Sequence, residues 1–490
     1  MSSSAIPTRA TSIPEAVMFD RFLAGDSAYD GRFLTGVLST RIYCLPSCTA
    51  RKPLRRNVVF FSSEPEARQA GLRACKRCRP DHFYRRYDPD LELVTTLVAR
   101  LDHQPGSIGS VRALVEMSGI GSSRLHELFR RHYHATPAEI IRRARVSQAA
   151  RELLETKHPL LDVALNAGFE SSSVFHDAFR RVMAMAPGAF RRLRDGDQFT
   201  ITLPRGYRLS HTLRVHGRDS ESLCERVEGN RLTKAMIVDG SPVTLEITFS
   251  TAEARVRMLS SSPISSAGVS AHRAVLRMLG LSGSSPAAFE RRVGSDPDLA
   301  MLVSGRRGLH IPQSPDVFEG LAWSIIGQQV NLPFAFKMRR AVVELRGQNA
   351  EGGLRAHPSA SEVASLDYSD LTGRQFSRMK AEYLIDSARL VASGELPLEN
   401  LPYGSATRAR ELLLSVRGIG AWSANYVMMR GCGFADCVPL GDTGLTSGLQ
   451  RFFALEERPD GARTTELMER FAPFRSLATF HLWMQKGDPA

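Results

Sequence analysis

TRIYCLPSCTARKPLRRNVVFF (residues 40–61), followed by AGLRACKRCRPD (residues 70–81), is the stretch on which the reading of this chain turns. It carries Cys44-x-x-x-Cys48 and Cys75-x-x-Cys78, two close pairs about one small-domain length apart. Such pairs can converge as four thiolates on one tetrahedral Zn²⁺. A bound cation lowers thiol pKa, so all four sulfurs are expected to be deprotonated. Two readings stay open at this point. Either the site is closed and purely structural, or one sulfur is an activated thiolate nucleophile. Arg51, just past the second cysteine, is either a phosphate contact or a solvated cation.

The composition around this unit suits an intracellular nucleic-acid protein. With 490 residues and 43% hydrophobic content, the chain has material for about three domains. Seven cysteines, four in metal spacing, argue against a secreted disulfide scaffold. The N-terminal MSSSAIPTRATSIPEA has no apolar signal core, and no apolar run reaches membrane-spanning length. The formal net charge is +13, and it is uneven. Residues 1–200 hold 30 Lys and Arg against 21 Asp and Glu, whereas 201–490 hold 34 against 30. A basic first half implies phosphate binding.

Punctuation divides the rest. The stretch LELVTTLVARLDHQPG, after Tyr87-Asp88-Pro89-Asp90, predicts a helix closing in a Pro-Gly linker. Residues 109–194 are helical in pattern, broken at Gly119, Pro137, Pro159, Gly168 and Pro187. A period of two returns in 199–255 and predicts sheet. Helices resume from about 268, with Gly/Ser-rich breaks near 281–285 and 351–360.

Within 109–194 there is an internal near-repeat. Gly119-Ile120 then Ser122-Ser123-Arg124-Leu125-His126-Glu127-Leu128-Phe129-Arg130-Arg131 is answered by Gly168-Phe169 then Ser171-Ser172-Ser173-Val174-Phe175-His176-Asp177-Ala178-Phe179-Arg180-Arg181. Each copy reads as a short apolar helix, a Gly turn and a Ser-capped helix ending in a basic pair. This is the helix-turn-helix plan, whose second helix lies in a major groove. Recognition helices are predicted over about 122–132 and 171–182, with Ser122, Arg124, Ser172 and His176 as DNA contacts. The repeat resembles the AraC-type DNA-binding domain, most specifically from Ala167 to Arg191.

Beside that neighbour, the cysteine text over residues 15–194 resembles the N-terminal half of the Ada adaptive-response proteins. The resemblance implies a zinc ion held by Cys44, Cys48, Cys75 and Cys78, with Cys44 accepting the methyl group of a DNA methylphosphotriester. Methylation removes one negative charge from a phosphate-facing surface, so DNA affinity and the transcription-activating state are expected to rise.

The last third has its own motif, Val416-Arg417-Gly418-Ile419-Gly420-Ala421-Trp422-Ser423-Ala424-Asn425-Tyr426. Two helices joined through Gly-Ile-Gly form a helix-hairpin-helix. Gly418 and Gly420 then let backbone N–H groups approach a DNA phosphate without reading sequence. Asp442 follows in Val438-Pro439-Leu440-Gly441-Asp442-Thr443-Gly444 and alone would read as a helix cap. Residues 199–488 resemble the AlkA-type DNA-3-methyladenine glycosylases, which flip an alkylated base into an aromatic cleft and hydrolyse its glycosidic bond. The resemblance makes Asp442 the catalytic carboxylate and Trp422, Tyr426 and Trp483 the cleft aromatics, whose ring faces attract a cationic base. It places the intercalating wedge at Gln329, a polar residue where the family is apolar.

Trp422 stands where strand-cutting relatives carry a Schiff-base lysine, and Cys432 and Cys437 lack the spacing of a cluster. A monofunctional hydrolase is expected. No Pro-Cys-His-Arg signature occurs, so O6-alkylguanine transfer is not expected.

The sequence therefore predicts a multidomain, mainly α protein with α+β parts. Its divisions are a zinc-bound α+β domain (1–88), a tandem helix-turn-helix domain (89–194), an α+β subdomain (199–310) and an all-α helix-hairpin-helix glycosylase domain (311–490). Expected partners are double-stranded DNA, alkylated or promoter, and RNA polymerase; the expected form is a cytoplasmic, nucleoid-associated bacterial monomer. The competing class is a transcription regulator whose C-terminal domain is a non-catalytic DNA clamp.

Overall fold

The computed structural model describes residues 13–85, 87–261 and 267–484; residues 1–12 of the polar N-terminal stretch lie outside them. The chain divides into two compact units between Thr96 and Leu97. Among the described residues no helix is long and apolar enough to cross a membrane.

In the first unit, strands β1 (Leu34–Val37), β2 (Ile42–Cys44), β3 (Val58–Phe61) and β4 (Arg73–Ala74) form one sheet in the order β3-β1-β2-β4. The β-like run Val58–Phe61 is thus an edge strand, antiparallel to β1. The outer pair β2 and β4 is parallel, with Tyr43 opposite Ala74. Cys75 N–H donates to the Tyr43 carbonyl at 2.9 Å. Parallel pairing sets the ends of β2 and β4 side by side, and this is what brings one cysteine pair to the other. Gly36 is required inside the sheet, because a Cβ there would lie 2.6 Å from the Phe61 ring and 2.7 Å from Leu72.

The second unit opens with the tandem repeat. Its helices are α1 (Val111–Ser118), α2 (Ser122–Tyr133), α3 (Pro137–Glu155), α4 (Leu160–Asn166), α5 (Ser172–Met183) and α6 (Pro187–Arg191). The long α3 packs against both copies, its start fixed by a Thr136–Glu139 capping box. Helices α2 and α5 match the two predicted recognition helices. The copies differ at the turn, however. Ser171 caps α5 by accepting from Val174 N–H, whereas Gly121 precedes α2 and no side chain caps it. The second turn is one residue longer, so Ser122 aligns with Ser172 and not with Ser171.

A five-stranded antiparallel sheet follows, in the order β5-β9-β8-β7-β6. It comprises β5 (Gln198–Thr202), β6 (Glu225–Glu228), β7 (Arg231–Val238), β8 (Ser241–Phe249) and β9 (Glu253–Leu259). Leu245, Ile247 and Phe249 of β8 alternate into the core, as the period of two requires. Helix α7 (Leu209–His216) lies between β5 and β6 in sequence, and α8 (Ala267–Met278) packs against β5 and β7. The remaining helices used below are α9 (Val317–Ile326), α10 (Leu332–Arg346), α11 (Arg378–Ala392), α12 (Ala406–Ser415), α13 (Ala421–Tyr426), α14 (Thr443–Phe452) and α15 (Arg475–Met484). After Tyr426 the chain remains helical but leaves α geometry. It continues as a wider π-type turn, Val427–Gly431, closed by Cys432 N–H on the Val427 carbonyl. A Cβ on Gly320 of α9 would lie only 3.2 Å from Gly431 Cα, so the widened turn fits against a close backbone approach.

The repeat and the following helices share one interior. A continuous apolar cluster runs from Val146 through Phe175, Phe179 and Phe190 to Phe199, the sheet and Leu279. Each copy grips its neighbours at the left-handed residue ending its recognition helix, His134 (φ 52°) and Ala184 (φ 51°). The Ala184 carbonyl accepts from Thr202 N–H at 2.7 Å, and that of Met183 from His272 Nε2 at 2.8 Å. At the other corner His134 Nδ1 accepts from Asp436 N–H at 3.2 Å. Ser405 Oγ donates to the His132 carbonyl at 3.0 Å, and Arg130 lies over the Phe474 ring.

Two outcomes follow from this shared interior. All three tryptophans, 323, 422 and 483, lie beyond the repeat. Phe179→Ala, a cavity in that shared cluster worth about 3–5 kcal/mol, should lower the unfolding midpoint read by tryptophan fluorescence. Independent domains would leave that midpoint in place. The second outcome concerns acid. Burial holds the His272 imidazole down at about 4, and His134 likewise. The unfolded ring protonates near 6.5, so this stability is complete above that pH and drains as pH falls from 6.5 towards 4. His272→Gln can still donate to the Met183 carbonyl but does not titrate. It should show a smaller loss of urea midpoint between pH 7.5 and pH 5 than the parent chain.

Candidate functional site

The four predicted cysteines converge. Their Sγ atoms all lie within 4.8 Å of one another, and four sulfurs at Zn–S distances of about 2.3 Å span a comparable space. Leu45 N–H points at Cys78 Sγ and Arg77 N–H at Cys75 Sγ, both at 3.4 Å, which orients the sulfurs as outer partners do in metal sites. Hydrogen bonding to Cys48 and Cys78, then burial, pushes the Cys44 thiol up. Four thiolates this close, three of them buried, cannot coexist without a cation, and a divalent ion on this donor set removes the conflict. The residues fit the group. Cys44, Cys48 and Cys75 are buried and Cys78 is half-buried, so Cys44 is not the most accessible sulfur. Lys52 Nζ donates to the Cys48 carbonyl at 2.8 Å, and Arg51 is exposed beside it.

On the recognition helices Arg124 is exposed and pairs with Glu127 at 2.7 Å. His126 Nδ1 and His176 Nδ1 bond the carbonyls of Ser122 and Ser172, at 3.0 and 2.8 Å, in equivalent positions of the two copies. Ser172 and His176 thus engage each other, and the exposed side chains of α5's first turns are Ser173, Val174 and Asp177.

The hairpin, Asp442 and the aromatics also come together. Gly418 has φ 86°, and a Cβ there would lie 2.3 Å from the Tyr383 ring; Gly420 begins α13 with open space around its Cα. Asp442 does cap α14, its Oδ1 accepting from Leu445 N–H at 2.8 Å. The same carboxylate accepts from Trp483 Nε1 on Oδ1 at 2.9 Å and from Trp422 Nε1 on Oδ2 at 3.1 Å. Three N–H donors therefore orient it. Tyr426 stacks on Trp422 at 5.3 Å and lies 6.1 Å from Trp483. Cys432 and Cys437 are buried in the core, and burial pushes the Cys432 thiol up to about 12.

Gln329 stands exposed at the tip of the turn after α9, in the left-handed region at φ 55°. Its neighbours hold that turn. Gln328 Nε2 donates to the Gly418 carbonyl at 2.9 Å and to Ser423 Oγ at 3.0 Å, and Lys380 Nζ to the carbonyls of Ile326 and Gln328, each at 2.9 Å. Sequence reasoning missed these two residues, since nothing local marks Lys380 of α11 as reaching α9. It also passed over the third tryptophan. Trp323 Nε1–H donates to Tyr426 Oη at 2.9 Å, and its place one turn before Gly327-Gln328-Gln329 was the available signal. Beyond Tyr426 opens a cleft of about 110 Å³, lined among others by Arg218, Trp323, Phe336, Tyr426 and Arg430.

Comparisons with known proteins agree with this layout. Residues 18–81 match the metal binding domain of Ada, 114–193 a helix-turn-helix domain, and 322–473 the HhH-GPD superfamily of base excision DNA repair proteins. The chain is 30% identical over 485 residues to a probable bifunctional transcriptional activator/DNA repair enzyme AlkA of Mycobacterium tuberculosis, covering 95% of each. It is 35% identical over 198 residues to a DNA-3-methyladenine glycosylase of Bacillus subtilis, covering 40% of this chain and 65% of that one. The fold of the C-terminal part is that of a 3-methyladenine DNA-glycosylase from Archaeoglobus fulgidus (TM-score 0.52, 24% identity, 58% of this chain and 97% of that one). With metal-binding, helix-turn-helix and hairpin modules in one order along nearly the whole length, the chain belongs to the family of bifunctional transcriptional activator/DNA repair enzymes of the AlkA type.

Proposed function

We propose that this protein excises alkylated bases such as 3-methyladenine and 7-methylguanine from DNA, and separately accepts a methyl group from DNA methylphosphotriesters to become a transcription activator. The observation that carries the first activity is the Asp442 carboxylate held between the Trp422 and Trp483 indole N–H groups. A cationic flipped base leaves as a neutral molecule, taking the C1′–N bonding pair. The carboxylate stabilises the positive sugar left behind, and water adds to C1′ and gives its proton to Asp442. Tyr426 and the indoles attract the cationic base through their faces. Gln329, on its braced turn, fills the vacated stack, while the backbone at Gly418 and Gly420 receives a phosphate.

For the second activity, zinc keeps the four sulfurs as thiolates when bound. Cys44 Sγ then attacks the triester methyl carbon; an S–C bond forms, the C–O bond breaks, and the phosphodiester departs with the electron pair. The thioether product carries one negative charge fewer, so phosphate affinity rises. The transfer is stoichiometric. Ser122, Arg124, Ser172 and His176 belong to the promoter-reading helices, and RNA polymerase is the partner expected of an activator. The four domains, divided after residues 88, 194 and 310, remain the proposed functional units, and the monomer the proposed form.

Duplex DNA carrying labelled methyl groups separates the two chemistries. Wild type should release free methylpurine and also acquire protein label, mapping to the peptide that contains Cys44. Asp442→Asn should lose only the free base, by at least about a hundredfold, and Cys44→Ala only the protein label. A folded wild type releasing no base would leave the non-catalytic clamp in place of the glycosylase. Gly418→Ala tests the hairpin. The new methyl meets the Tyr383 ring, so both duplex affinity by anisotropy and thermal midpoint should fall, while zinc content by atomic absorption stays at one per chain.

A further inference from the structure

The cleft beyond Tyr426 is not electrically neutral. Two carboxylates in its wall are already compensated: Glu319 meets Lys234 at 2.8 Å and Arg339 at 2.5 Å, and Glu225 meets Arg339 at 3.1 Å and His216 at 3.0 Å. That leaves Arg218 at the exposed lip and Arg430, half-buried, deeper in. Arg430 Nε is buried without a hydrogen-bond partner, and its guanidinium lies 5.9 Å from the Phe480 ring. Among the described residues neither arginine is paired with a carboxylate. Arg218 and Arg430 both line the cleft, so two cations of like sign face the same space. A guanidinium donates hydrogen bonds and accepts none. Whatever fills the cleft must therefore bring acceptor atoms.

Flat walls from Trp323, Phe336 and Tyr426 suit a planar ring, and Tyr426 is also the ring that stacks on Trp422 beside Asp442. We propose that Arg218 and Arg430 read the edge of the flipped base, favouring lesion purines that carry a carbonyl oxygen at C6 over those that carry an amine there. This rests on the glycosylase reading above. An arginine facing a guanine-type O6 makes a charge-assisted hydrogen bond, whereas facing an adenine-type amino group it sets donor against donor. The positive pair also offsets part of the aromatic attraction for a cationic ring. Discrimination therefore falls to the edge, because a site built for hydrogen bonding rejects the analogue that cannot complete it. The other acceptor within reach is a backbone phosphate beside the flipped nucleotide. Such a contact would serve every lesion alike.

Methylated DNA supplies both substrates in one tube: 7-methylguanine with its O6, and 3-methyladenine with its amine. Single-turnover release of each is compared for wild type, Arg430→Met and Arg218→Met, with thermal midpoints alongside. The expected result is a 7-methylguanine to 3-methyladenine rate ratio that falls about tenfold in Arg430→Met, with a fall in the same direction in Arg218→Met at an unchanged midpoint. Equal loss of both products would assign the arginines to phosphate or to structure, and would overturn the proposal, as would an unchanged ratio. No free base of either kind from folded wild type would remove the glycosylase reading and this proposal with it.

Discussion

Two carboxylates and two cations, largely buried behind the cleft wall, join the sheet to the helices that carry the cleft. Lys234 is on β7, Glu225 on β6, Glu319 on α9 and Arg339 on α10. Burial works against the Glu319 carboxylate, yet Lys234 and Arg339 hold it at about 2. No member can leave without stranding a charge, which is far more costly than the net worth of the pair. Everything proposed for the cleft depends on this lock. It sets α9, with Trp323 and the Gln328–Gln329 turn, against the sheet and the end of α7, where Arg218 follows. Lys380 and Gln328 then pass the same placement on to the hairpin.

A second consequence concerns the helix-turn-helix repeat. The left-handed ends of both recognition helices are consumed in binding the sheet and the C-terminal helices, while their N-terminal turns stay exposed. The repeat is therefore not a bead on a linker. Its two-fold internal pattern is reused as a two-point attachment, one corner on β5 and α8 and the other on the start of α12. Helix α12 in turn leads directly into Gly418-Ile419-Gly420. Promoter-type and lesion-type DNA surfaces are thus presented by one folded body, even though their chemistries have no residue in common.

Those chemistries solve opposite electrostatic problems. Around Cys44 the difficulty is too much negative charge in a dry place, and a cation is the remedy. Around Asp442 a single carboxylate has to stay oriented, and neutral N–H donors from two indoles and a helix start suffice. The first arrangement needs ligands from two chain segments and a parallel strand pair. The second needs residues from three helices, so small displacements of α13 or α15 would act on the carboxylate directly.

Much was legible in the chain itself, because local chemistry leaves local marks. Cysteine spacing announced a four-sulfur centre, the Gly–Ser–basic repeat announced two recognition helices, and Gly418-Ile419-Gly420 with Asp442 announced the hairpin and its carboxylate. One local expectation failed for a local reason: Gly121 leaves α2 without a side-chain cap. Other features were invisible in principle. That Lys380 braces the turn before Gln329, that Trp323 bonds Tyr426, that His132 and His134 dock on Ser405 and Asp436, and that Arg218 and Arg430 share a cleft are all matters of residues far apart in sequence. No spacing encodes such contacts. The sequence determined which groups are present and which helices and strands carry them. Only tertiary packing decided which donors and charges stand without partners, because that depends on what the rest of the chain brings within 3 Å.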